Sequence, residues 1–209
     1  YSPYRDMGYA AFTAAQKGAF ALGTVGAGTG ATTATVKGGL GSASAISSSG
    51  HTVAALVAVN ALGTATVGTS KHFWAAPFEQ NKEFGGLGLP SNFTDHDIAL
   101  RAKGLEQPTA TTIGIIVTDA VLTKAQAHRL SIMAQDGLAR AVLPAHLPAD
   151  GDTIFAAATG ARPLAAPADF MELCHLATLT MARAIARGVY EATALPCNQA
   201  QAAWRDLHL

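Results

Sequence analysis

Charge is scarce in this chain. Only 13% of its 209 residues are charged, and fourteen basic side chains cancel fourteen acidic ones. So sparse a surface has no electrostatic footprint for nucleic acid and no basic tract for an anionic membrane. Cysteine is scarce as well. Cys174 and Cys197 make no CxxC and no metal-like spacing, and they read as free thiols in a reducing, cytoplasmic compartment, with one disulfide as the alternative. No apolar run approaches about 18 residues without a Gly or polar break, so no membrane span is expected. None of the seven histidines falls in an HExxH or similar metal pattern, and no Gly-x-Ser-x-Gly elbow is present. No cofactor and no metal is implied. The chain opens at Tyr1 with neither an initiator Met nor a signal-peptide pattern. That is expected of a processed product or of the ordered portion of something longer.

What is abundant is small and apolar. Hydrophobic residues make up 49% and glycines number 21, so much of the surface must be Ala, Gly, Ser and Thr. Low net charge on so little total charge favours self-association. Tyr9 to Leu22, Ala-rich and followed by Gly23, predicts a helix with a Gly stop. Gly26, Gly28 and Ala31 then fit the loosest dinucleotide fingerprint, but no strand precedes them and no βαβ unit follows. Lys37 lacks the Gly-Lys-Ser/Thr of a P-loop. This glycine-rich loop reads instead as a close approach of backbone to a ligand or another segment.

Thr52 to Asn60 is the clearest strand of the first half, and Thr64 to Thr69 is β-prone. Lys71 to Pro108 is polar, punctuated by Gly and Pro, and long, as functional loops, linkers and partly disordered segments are. It carries Trp74, Asp95-His96-Asp97 and the Lys103 to Glu106 segment. The Asp-His-Asp run could bind a metal only with ligands from elsewhere, and a loop charge cluster is the simpler reading. Thr111 to Asp119 is an apolar, β-branched run suited to a buried strand. Thr123 and Gln126 form a capping-box pattern ahead of Ala127, Leu130, Ala134, Leu138 and Ala141 at helical spacing. Asp150-Gly151-Asp152 turns into the strand Thr153 to Gly160. Asp169 with Glu172 then starts a long Ala-rich helix to about Ala194, ended by Pro196. Buried strands need cover on both faces, and each helix carries one small-residue face. Two stacked sheets flanked by helices, an α+β sandwich, satisfy both.

Polar residues stand at the element ends. Lys37 closes the glycine loop, Asn60 ends the early strand, Thr111 opens the central one, and Asp150 and Asp152 share a face if the turn is extended. Each alone has a plain structural account. Together they are a nucleophile, a cation, a neutral oxyanion donor and a carboxylate pair, as amide hydrolysis requires.

These residues carry a resemblance. Gly26 to Gly30, Lys37 to Ser44, Val53 to Asn60, Thr111 to Asp119 and Gly151 to Ala156 are similar, in the same order, to the P1 family of peptidases. That family includes the L-aminopeptidase D-amidase/esterase type, the β-peptidyl aminopeptidases and the nylon-oligomer endo-hydrolase. The resemblance covers about Gly8 to Ala194. It implies an αββα sandwich and an N-terminal-nucleophile hydrolase that cleaves its own precursor, acting on small peptides, amino-acid amides or oligoamides. Residues 1–110 would form the α-subunit portion and 111–209 the β-subunit portion of one catalytic domain, assembled as a homo-oligomer of α/β pairs. Thr111 matches the nucleophile, Lys37 and Asn60 the site lysine and asparagine, and Asp150 and Asp152 the paired aspartates, a pair that leans toward the nylon-hydrolase side. Two departures stand out. Ala110 precedes the nucleophile where the family usually has Asn or Gly, and the family's N-terminal part is expected to lie before Tyr1. Ala110 marks either a variant impaired in self-cleavage or residues missing between it and Thr111. Two other functions stay open: an inactive oligomeric binding or scaffold domain, and acyl transfer to an amine.

Overall fold

The computed structural model describes residues 3–104, 110–148 and 150–209. Leu105, Glu106, Pro108 and Thr109, at the end of the long loop, lie outside the described residues. Strands β1 (Leu40–Ile46), β2 (Thr52–Ala58), β3 (Ile113–Ala120) and β4 (Thr153–Arg162) form a sheet in sequence order. The first two pairings are antiparallel and β3 with β4 is parallel. A parallel neighbour requires a crossover. Here it is the helix Lys124–Ala141, numbered α3 after the shorter helices α1 (Tyr4–Thr13) and α2 (Asp95–Ile98). Its expected capping box is present, with Gln126 N donating to Thr123 Oγ1 at 3.2 Å and Thr123 N to Gln126 Oε1 at 2.9 Å.

Helix α4 (Pro167–Tyr190) lies beside α3, and the two cover one face of the sheet. Val53, Ala55 and Val57 of β2 and Gly114, Ile116 and Thr118 of β3 are buried beneath them. The helix begins two residues earlier than the carboxylate pattern suggests and stops at Tyr190 instead of Ala194. Asp169 caps it as expected, accepting from the amides of Ala165 and Ala166. Glu172 instead reaches the β1–β2 turn, where it binds Ser48. The opposite face of the sheet is open, with Leu56, Ile113 and Phe155 at its surface. The α+β class is as expected. Two stacked sheets were expected; the described residues form a single four-stranded sheet with helices on one face.

Three elements depart from the sequence pattern. β1 was not expected, because Gly41, Ser42 and Ser44 are weak strand formers. Packing explains the choice: a Cβ on Gly41 would lie 1.9 Å from the Ala184 carbonyl oxygen of α4, so only glycine lets the helix approach. The first helix spans Tyr4–Thr13, not Tyr9 to Leu22; it buries no residue, and Gly18 at φ +110° follows its end. Thr64 to Thr69 forms only isolated bridges, Thr64 with Leu143 and Thr66 with Phe73.

The first part of the long loop is packed. Phe73 and Phe84 are 2% exposed and meet edge to face at 5.5 Å, with Trp204 of the short helix α5 (Trp204–His208) against Phe73. Glu83 pins the loop to α4 through Arg183, Nε to Oε1 at 2.5 Å and Nη2 to Oε2 at 3.0 Å. Arg183 is 6% exposed, and breaking a buried pair strands the remaining charge. Glu83→Ala should therefore cost about 3–5 kcal/mol, read as a lower denaturant midpoint at unchanged slope. Asp95-His96-Asp97 lies in the one-turn helix α2, with Asp97 Oδ2 accepting from Thr94 N and Oγ1 at 2.8 Å each. Among the described residues no group of three His, Cys, Asp or Glu could hold a metal ion, and no helix is long and apolar enough to cross a membrane.

Candidate active site

β3 and β4 run parallel, and this register brings the two functional turns abreast. The bridge between Ala110 and Asp150 sets Thr111 beside Gly151. The Ala110–Thr111 peptide is held from three sides. Its carbonyl oxygen accepts from Thr111 Oγ1 at 2.6 Å and from Gly151 N at 3.1 Å, while Thr111 N donates to the Asn60 carbonyl at 3.1 Å. Two donors on one carbonyl polarise it, and the hydroxyl is one of the two.

Gly151 is required there by space. A Cβ at this position would sit 2.4 Å from Thr111 Oγ1. Gly151→Ala should push the hydroxyl off the carbonyl and slow any reaction at Thr111 by about a hundredfold, as a 1 Å misplacement can. Thermal unfolding should scarcely change. A variant with normal rates would show that the hydroxyl is not confined.

Thr111 and Asn60 both line a cavity of about 530 Å³. Its walls are apolar: Ala27, Gly30 and Ala31 from the glycine-rich loop, and Leu40, Leu56, Ile113 and Phe155 from the sheet. Among the described residues no charged side chain lines it. This is the open face of the sheet, where the strands' outward side chains provide the floor.

The Asn60 side-chain oxygen accepts from Thr32 N at 3.1 Å and from Lys103 Nζ at 2.6 Å. Lys103 was not singled out from the sequence, because a lysine in a polar loop looks like a solvated one. Burial lowers its pKa to about 8, with Asp150 opposing and Lys37 reinforcing the shift. Lys37 is 1% exposed, and its ammonium donates to the carbonyls of Gly28, Ala31 and Gly38 at 2.9, 2.6 and 2.8 Å. All three of its protons are thereby used, so its direct contacts brace the glycine-rich wall of the cavity. Burial also lowers its pKa.

Asp152 Oδ1 accepts from Thr112 N at 3.0 Å, and His146 Nδ1 stands 3.1 Å from Oδ2 at ion-pair distance. His146 was also missed; it lies at φ +58° in the segment before β4, and no sequence spacing ties it to Asp152. Asp150 Oδ1 is buried without a partner among the described residues. Burial first, then the neighbouring Asp152 charge, raises the Asp150 pKa to about 6. The folded chain therefore binds this proton more tightly than the unfolded one. Stability from this group is present below pH 3.8 and declines as pH rises through the window from 3.8 to about 6. Asp150→Asn should remove that slope from the stability–pH curve, measured by denaturant titration; an unaltered slope would mean Asp150 titrates normally.

Comparison with known proteins gives consistent matches. The profile of peptidase family S58 matches residues 4–203. An uncharacterized aminopeptidase of Mycobacterium leprae is 42% identical over 177 residues, which is 80% of this chain and 47% of that protein. Its Mycobacterium tuberculosis counterpart is 41% identical over 170 residues, 76% of this chain and 46% of that protein. The chain thus spans about half the length of the curated relatives it matches. Among solved structures, a Burkholderia sp. beta-aminopeptidase superposes with TM-score 0.65 at 26% identity, covering 92% of this chain and 53% of its own. The L-aminopeptidase D-Ala-esterase/amidase of Ochrobactrum anthropi, a variant of the Ntn hydrolase fold, gives TM-score 0.60 at 20% identity over 90% of this chain and 50% of its own. That likeness supports the fold alone.

Proposed function

The chain belongs to peptidase family S58, and from that premise we propose that it is part of an autoprocessed amidohydrolase whose nucleophile is Thr111. The observation that carries this reading is the clamped Ala110–Thr111 peptide, with Thr111 Oγ1 2.6 Å from the carbonyl oxygen and Gly151 N at 3.1 Å. In the first reaction Thr111 Oγ1 attacks the Ala110 carbonyl carbon and the C–N bond breaks. The hydroxyl proton ends on the released amine, and Ala110 is left as an ester on Thr111. Water hydrolyses the ester, giving an Ala110 carboxylate and a chain that begins Thr111-Thr112-Ile113.

The new terminus supplies what Thr lacks. A free α-amine, with a pKa of about 7.7–8.0, accepts the Thr111 hydroxyl proton at neutral pH. Lys37, buried in the glycine-rich wall, adds positive charge that favours the neutral amine. The Asn60 amide faces the oxyanion of the substrate's tetrahedral intermediate, and Asp150 and Asp152 orient the amine or hold a substrate ammonium. The acyl group occupies the uncharged cavity, which suits small peptides, amino-acid amides or oligoamides with apolar acyl portions. Assembly as a homo-oligomer of α/β pairs and a cytoplasmic setting, in keeping with the free thiols Cys174 and Cys197, belong to the same proposal. Acyl transfer to an amine would use the same acyl-enzyme.

Intact mass and N-terminal sequencing, combined with a panel of aminoacyl amides, test the reading. Two polypeptides dividing at Thr111 and turnover of at least one amide are expected. Ala110 in place of Asn or Gly favours a second reading, an uncleaved and inactive binding domain. A single intact chain without amidase activity would establish that reading instead.

A further inference from the structure

The contacts of Asn60 assign a role to a residue outside the nucleophile–amide–carboxylate set. We propose that Lys103 is a positioning residue that fixes the Asn60 side-chain amide with its oxygen turned inward and its NH2 group presented to the cavity above Thr111. The inference rests on the amidase reading of that cavity.

Amide oxygen and nitrogen are hard to distinguish by shape, so the orientation must come from the chemistry of the partners. Here both partners can only donate. An ammonium has three N–H groups and no acceptor, and the Thr32 backbone amide has one N–H. Both Lys103 Nζ at 2.6 Å and Thr32 N at 3.1 Å therefore require the oxygen of Asn60, not its nitrogen. The NH2 group has no acceptor among the described residues, and Asn60 lines the cavity together with Thr111. Its free donors are thus left for a group that arrives, as an oxyanion donor must be.

Lys103 holds more than the oxygen. Its other two protons go to Thr32 O at 2.7 Å and Thr32 Oγ1 at 2.9 Å, and its own amide donates to Leu62 O at 3.0 Å. The ammonium thus ties the Asn60 oxygen to the Thr32 carbonyl and hydroxyl. Without Lys103 that tie is lost, and the terminal torsion of Asn is broad and roughly two-fold. Only the Thr32 amide then still selects the oxygen, so the side chain turns over more often, and each turnover leaves an oxygen facing the developing negative charge. Asp150 and Lys37 are the charged groups that act on Lys103; at neutral pH it is mostly protonated and keeps all three donors.

The test is a double-mutant cycle on mature, Thr111-cleaved protein: parent, Lys103→Met, Asn60→Ala and the double variant. The substrate is whichever aminoacyl p-nitroanilide of the panel the parent turns over fastest. Lys103→Met should lower kcat by 10- to 100-fold with KM within about twofold, and the double variant should be no slower than Asn60→Ala alone. Losses that multiply would show that Lys103 acts independently of Asn60 and would overturn the inference. Normal kcat in Lys103→Met would overturn it as well, while leaving the amidase reading standing. A parent that cleaves no amide would remove the amidase reading itself, and this inference with it. Should Lys103→Met not fold, Lys103→Gln keeps an N–H donor for the Asn60 oxygen. It should lie between parent and Asn60→Ala in kcat, and adding Asn60→Ala to it should again cost nothing beyond Asn60→Ala alone.

Discussion

Thr111→Ala should abolish both self-cleavage and amide hydrolysis while leaving a folded protein. The hydroxyl makes one hydrogen bond, to the carbonyl just before it, and Gly151 N continues to hold that carbonyl at 3.1 Å. Losing a half-buried hydroxyl and one methyl opens little cavity, so thermal unfolding should move by no more than a few degrees. Activity should fall to the uncatalysed level, since no other hydroxyl takes the same position. Thr112 makes the contrast. It is fully buried, its Oγ1 has no partner among the described residues, and its backbone amide carries the bond to Asp152. Thr112→Val keeps the shape and the backbone bond while removing an unsatisfied hydroxyl, which should be neutral or slightly stabilising. Mass spectrometry for cleavage, chromogenic amide assays and thermal melts on the two variants separate these expectations. Equal losses from both changes would put the nucleophile elsewhere.

The second large effect is at Asn60. Asn60→Ala should lower kcat by about a hundredfold to a thousandfold, the value of one oxyanion donor, about 3–4 kcal/mol of transition-state stabilisation. Asn60→Asp should be worse for turnover. It preserves size and gives Lys103, at 2.6 Å from the present oxygen, an ion-pair partner, so folding is retained. Yet it replaces the donor with a carboxylate against the developing negative charge. The pair of variants separates catalysis from architecture. A residue that merely ended β2 would lose about 1 kcal/mol of stability and little turnover. Near-normal kcat in either variant, measured after cleavage at Thr111, would return Asn60 to an architectural role.

The long, regular elements were legible from local pattern alone. The 3.6-residue spacing of Leu130, Ala134, Leu138 and Ala141 gave α3 its buried face, and all four are at most 1% exposed. The Thr123–Gln126 box formed where its spacing placed it, because caps are local hydrogen bonds within four residues, whereas Asp169 caps α4 from its third position and Glu172 takes no part. β2 and β3 were visible as apolar, β-branched runs. β1 was not, because its stability comes from Gly41 lying under α4, a contact between residues more than 140 positions apart.

The site divides along the same line. Sequence by itself determined the residue types at strand ends: Asn60, Thr111 and the Asp150-Gly151-Asp152 turn, each at the edge of an element whose periodicity announces it. Its ordered motifs, spread over most of the chain, also pointed to a peptidase family, and the family whose profile matches is S58. Only the tertiary structure decided which side chains meet. The parallel β3–β4 register laid Gly151 against Thr111. Lys37 spent its ammonium on the carbonyls of its own glycine loop, and Lys103 from the distant polar loop became the cation on Asn60. His146 came to stand beside Asp152 in the same way. Local pattern encodes which face of an element is apolar, whereas a buried ammonium's partner is set by whichever acceptor the fold brings within about 3 Å. That proximity is a property of the packed chain, and no spacing along it carries the information.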